Sequence, residues 1–64
     1  DKIHAVLEVL EEMQHDYGVA KRDELLTRLG KERDIPPGET EEILGMLIRE
    51  GTIYEPRPGY LKKT

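Results

Sequence analysis

Pro36 and Pro37 divide this 64-residue chain. The ring of Pro36 confines Ile35 to extended geometry, so no regular helix passes through the pair. Pro37 suits the first position of a new helix, where its missing N–H would have had no partner. A chain this short forms one domain at most, so the segments on either side of the break must share a single small core.

Before the break, Ile3, Val6, Leu7, Leu10, Met13 and Tyr17 recur on one side of a 3.6-residue period and predict an amphipathic helix. Glu8, Glu11 and Glu12 lie largely off that side. Asp1 can cap its start with a carboxylate, and Gly18 suits the left-handed position that ends a helix. Val19 and Ala20 leave room for no more than a stub of strand. Leu25, Leu26 and Leu29 mark a second, shorter helix, in which Glu24 and Arg28 stand four apart in the favourable order. Gly30 either stops this helix or is tolerated inside it at about 1 kcal/mol. The stretch from Lys31 to Gly38 reads as a loop.

After the break, Pro37 or Thr40 opens a third helix. Its glutamates at 39, 41 and 42 crowd the first turns, where the helix dipole favours negative charge. Ile43, Leu44, Leu47 and part of Ile48 form its inward stripe, and Gly51 closes it. Thr52 to Glu55 predicts a strand with Ile53 inward. Pro58-Gly59 fits the centre of a type II turn, and Tyr60-Leu61 begins the return strand. Pro56 cannot donate to a ladder, which places the hairpin at a sheet edge. The expected fold is α+β and mainly α: a winged helix of three helices plus a C-terminal two-stranded β-hairpin wing. The alternative is a plain three-helix bundle with a frayed tail.

The function classes narrow quickly. The chain has no serine and no cysteine, hence no thiolate or serine nucleophile, and no glycine-rich phosphate loop follows a strand. The expectation is a domain that is not itself an enzyme. His4 and His15 lie eleven residues apart on one helix, about 16 Å of rise, too far to share a metal. No apolar run approaches the roughly 20 residues that span a membrane. The formal charge of −4 argues against strong binding to nucleic acid through bulk electrostatics, although it leaves room for a local basic patch.

Two surfaces stand out. The wing carries Arg57, Lys62 and Lys63 and no acid after Pro56, with Tyr54 and Tyr60 flanking its turn. Arg57, Tyr60, Lys62 and Lys63 are therefore candidates for touching a phosphate backbone or an exposed base; alternatively the tyrosines complete the core. The third helix, in the position of a groove-reading helix, offers Glu41, Glu42 and Arg49 outward. Glu39, Glu41, Glu42 and Glu50 set four acids against the single base Arg49. Carboxylates facing phosphates repel, so Glu41, Glu42 and Arg49 are candidates for a protein-contacting face instead. Lys21, Arg22, Arg28, Lys31 and Arg33 form a second basic area. Asp23, Glu24, Glu32 and Asp34 are interleaved with it and largely cancel it. A weak phosphate contact from Lys21 and Arg22 stays open.

The tail from Leu47 to Thr64, with its Gly51-Thr52-Ile53-Tyr54-Glu55-Pro56 run, short turn and Tyr60-Leu61-Lys62-Lys63 end, resembles the C-terminal winged-helix domain of archaeal minichromosome maintenance (MCM) replicative helicases. The specific likeness covers about the last third of the chain; the first two-thirds agree in layout. The resemblance implies that residues 1–64 are one winged-helix domain at the C-terminal end of a larger protein. It implies a non-catalytic regulatory module of a hexameric, ATP-dependent DNA helicase in the archaeal cytoplasm. The module would work beside the AAA+ motor of its own chain, with a replication initiator protein as a further partner. DNA binding by the isolated domain would be weak or absent. The domain alone would be a monomer without cofactor, while ATP and Mg belong to the parent's motor. The competing expectation is the DNA-binding winged helix of a transcription regulator, with a steep salt dependence of binding. A bare structural adaptor in an unrelated complex is not separable from the first reading by sequence.

Overall fold

A computed structural model describes all residues from Asp1 to Thr64. The elements run α1 (Lys2–Tyr17), β1 (Ala20–Lys21), α2 (Arg22–Arg33), α3 (Pro37–Arg49), β2 (Ile53–Arg57) and β3 (Tyr60–Lys63). The domain is α+β and mainly helical, and its order and pairing are consistent with a winged-helix-like arrangement.

Local signals set most boundaries. The Asp1 carboxylate accepts the His4 N–H at 2.8 Å and caps α1. Gly18, at φ 83°, takes the left-handed turn that ends it. Pro37 opens α3 at its first turn. That helix closes in a Schellman arrangement: the Thr52 N–H donates to the Leu47 carbonyl and the Gly51 N–H to that of Ile48. Helix α2 differs from the sequence expectation. It runs through Gly30 to Arg33 and stops at Asp34, a non-glycine residue at φ 58°. Gly30 costs the helix about 1 kcal/mol, while the turn that follows it brings Glu32 to Arg28 and Arg33 to Glu8.

The expected two-stranded wing is a three-stranded antiparallel sheet in the order β1-β3-β2. The two residues of β1 pair with β3, Ala20 opposite Leu61 and Lys21 opposite Tyr60. The Arg22 N–H then donates to the Gly59 carbonyl at 2.9 Å, tying the hairpin turn to the start of α2. Short as it is, β1 satisfies the inner edge of β3 and leaves β2, with its Pro56, at the outer edge.

One face of this sheet closes a core made only of aliphatic and methionine side chains. Val6, Val9, Leu10 and Met13 of α1 meet Leu25, Leu29, Ile35, Leu44 and Leu47 of the other helical segments, with Ala20, Ile53 and Leu61 from the strands. The single buried polar side chain is Thr40, whose Oγ1 has no hydrogen-bond partner. Two positions of the α1 stripe depart from expectation. Tyr17 is 74% exposed and Ile3 is 40% exposed. Both lie in end turns of α1, and the chain reverses at Gly18 so that Ala20 fills the space near the last turn.

Candidate functional site

Four cations on the helical side of the domain pair with glutamates. The Arg28 guanidinium donates to Glu12 at 3.0 Å and to Glu32 at 3.1 Å, joining α2 to α1. Arg33 pairs with Glu8, Lys2 pairs with Glu39, and Lys63 reaches Glu11 at 3.2 Å. Glu8, Glu11 and Glu12, exposed and off the apolar side as expected, thus bind α1 to α2 and β3. The hydrogen bond and charge of Arg33 hold the Glu8 carboxyl below the usual carboxylate range. Arg28 is held above its ordinary value, first by its hydrogen bond to Glu32. Arg33 is raised in the same way by Glu8.

The wing residues divide. Lys63 stands opposite Ile53, on the core side of the sheet margin; its N–H donates to the Gln14 side chain at 2.7 Å while its ammonium meets Glu11. It therefore serves the attachment of β3 to α1. Arg57, Tyr60 and Lys62 turn the other way. Side chains directly opposite across an antiparallel pair share a face, and alternate residues along a strand share it too. Lys21, Tyr60 and Arg57 are opposite one another across three strands, and Tyr54 is opposite Lys62.

A bulge makes this possible. Tyr54 pairs with Lys62, but Arg57 pairs with Tyr60, so β2 carries one extra residue between them. Without it Arg57 would alternate onto the core side. With it, Arg57 stacks over the Tyr60 ring, 4.4 Å from its centroid. Glu55, beside the bulge, turns its carboxylate to the Gly59 N–H at 2.9 Å. Gly59 at φ 87°, following Pro58, has the torsion sign that the second central position of a type II turn requires.

On α3, Glu41, Glu42 and Arg49 are all exposed and none takes part in a side-chain hydrogen bond or ion pair of the domain. Arg49 does not project squarely outward. Its guanidinium folds back along the helix, so that a Cβ added at Gly45 would lie 3.4 Å from its Nη1. Beside it Ile48 is 36% exposed. The outward side of α3 is thus acid at its first turns and mixed near its end, where Ile48, Arg49 and Glu50 are all exposed.

The sequence offered Lys21 only for a weak phosphate contact and placed Tyr17 in the apolar stripe of α1. In the structure they line a shallow cleft with Val19, Glu24 and Tyr60. A larger groove along α1 gathers His4, Glu8, Glu11, His15 and Lys63, yet no group of three or more histidine or acidic side chains has the geometry to hold a metal ion. No helix is long and apolar enough to cross a membrane. No protein-family model matches this chain, and no curated protein matches it.

Proposed function

We propose that this is a winged-helix interaction module in which α3 has given up reading a DNA groove. The observation that carries the proposal is the outward side of α3. Glu41 and Glu42 stand there free of partners, and the one base, Arg49, lies back over Gly45. A recognition helix in the major groove presents donors to base edges and cations to phosphates. This surface would set carboxylates against them.

The reading extends to the parent through the resemblance of the tail to the C-terminal domains of archaeal MCM helicases. The module modulates the hexameric motor of its own chain and touches partner proteins, a replication initiator among them, through the α3 face. It performs no chemistry, and its setting is the archaeal cytoplasm. The isolated domain is a monomer that binds duplex DNA weakly or not at all.

An amide chemical-shift titration of the 64-residue domain with duplex DNA tests the α3 assignment. The expected result is no perturbation along Glu41 to Arg49 and no sub-micromolar binding at physiological salt. Shifts centred on that segment with tight binding would reassign the domain to sequence-reading regulators. The coding sequence upstream of Asp1 tests the parent, where Walker-type motifs are expected.

A further inference from the structure

The sheet surface turned away from the helices carries chemistry that packing does not use. The protein has three aromatic residues, all tyrosine, and none belongs to the core. Tyr17 and Tyr54 are the most exposed of them, at 74% and 43%. Tyr60 lies between Lys21 and Arg57 across the strands, and Tyr54 lies opposite Lys62. Aliphatic and methionine side chains close the core, so packing does not explain why the aromatic rings gather here.

The charges separate in the same way. Of ten Lys and Arg residues, Lys2, Arg28, Arg33 and Lys63 are consumed in ion pairs. Lys21, Arg57 and Lys62 have no acidic partner and stand together on this face. Arg22 is anchored beside them by its backbone to Gly59. Of the acids nearby, Glu55 is engaged by the turn amide and Glu24 lines the margin of the cleft that holds Tyr17 and Tyr60. An acidic protein has thus left three cations without ion pairs on one face, interleaved with rings.

We infer that this face binds single-stranded nucleic acid, with bases stacked on Tyr54 and in the Tyr17–Tyr60 cleft and the phosphates against Lys21, Arg57 and Lys62. Stacking is open to unpaired bases alone, because the rings of a duplex are already covered by their neighbours. The Arg57 guanidinium on Tyr60 leaves its second plane free, and a guanidinium plane accepts a base as a ring does. Rings and cations alternate across the strands of this face, an arrangement that suits a flexible single strand. This goes beyond the preceding reading and holds whichever parent carries the domain.

Fluorescence anisotropy of labelled oligothymidylate, oligouridylate and a mixed-sequence duplex, titrated with the 64-residue domain at low salt, tests it. Both single strands are expected to bind more tightly than the duplex. The logarithm of affinity should fall with that of salt at a slope of about −2, as three neutralised phosphates require. A preference between the two strands tells whether DNA or RNA is the natural ligand. Tyr54→Ala should weaken binding about 5- to 150-fold, and Tyr54→Phe should restore it, since stacking needs the ring and not the hydroxyl. Lys31→Gln, an unpaired cation on another surface, should change nothing. No binding of either single strand, binding of the duplex as tight as of the strands, or an unaltered Tyr54→Ala would each overturn the inference. The far-ultraviolet circular dichroism of each variant confirms that the fold is intact.

Discussion

The two sides of this domain spend the same residue types in opposite ways. On the helical side, Arg28, Arg33, Lys2 and Lys63 each meet a glutamate, and the pairs fasten α1 to α2, α3 and β3. On the outward sheet face, Lys21, Arg57 and Lys62 meet none, and tyrosines stand between them. Composition does not distinguish these sides, since both draw on the same acid and base content. The difference lies in which element the acids occupy. Helix α1 supplies Glu8, Glu11 and Glu12 along one side, within reach of α2 and β3. The strands supply only Glu55, and the turn takes it. Charge on the first side serves assembly; charge on the second is left for something outside the molecule.

Both sides rest on one core. Leu29 is fully buried where α2 meets the core. Leu29→Ala should cost about 2–5 kcal/mol, enough to unfold much of a domain this small. Urea unfolding followed by circular dichroism will read it. If one side kept its structure while the other melted, the two faces would not rest on one core.

Thr40→Val comes next. It removes the unpartnered buried hydroxyl from the start of α3 and leaves the shape of the side chain, so stability should rise by about 1 kcal/mol. A loss measured in the same urea experiment would mean that the hydroxyl is paired in solution.

The contrast itself is sharpened by a matched pair of substitutions. Arg28→Met leaves both Glu12 and Glu32 without their shared cation and should cost up to about 1 kcal/mol. Lys62→Met, on the face without ion pairs, should change stability by less than about 0.5 kcal/mol. Equal losses would erase the distinction between assembling and free charge.

The smallest effect is the response to acid. Arg33 holds the Glu8 carboxyl below its usual value of 4.5, so the unfolded chain takes up that proton first as the pH falls. The contribution of the pair is complete above 4.5 and disappears as the pH drops through the lower, folded value. Thermal melts between about pH 5 and about pH 3 should show a falling midpoint, and Arg33→Met should flatten part of that fall.

What sequence alone determined about this protein is what nearest neighbours decide. Asp1 and Gly18 bound α1, Pro37 opens α3, Gly51 closes it and Pro58-Gly59 turns the hairpin, each through torsions or hydrogen bonds within a few residues. The apolar period likewise marked Leu10, Leu44, Leu47 and Ile53 for burial. The exposure of Glu41, Glu42 and Arg49 was legible for the same reason. Tertiary structure decided the rest. The stub of strand expected at Val19-Ala20 forms at Ala20-Lys21, and its pairing, which the sequence did not show, comes from β3, some forty residues later. The facing of Arg57 depends on a bulge that exists only relative to β3, and Lys63 leaves the outward face because Glu11 and Gln14 of α1 lie within reach. Tyr17 fits the helical period yet stays outside, since a period says which side of a helix is apolar but not how far along it the core extends. Those outcomes are set by long-range contacts, whose partners no local window of residues contains.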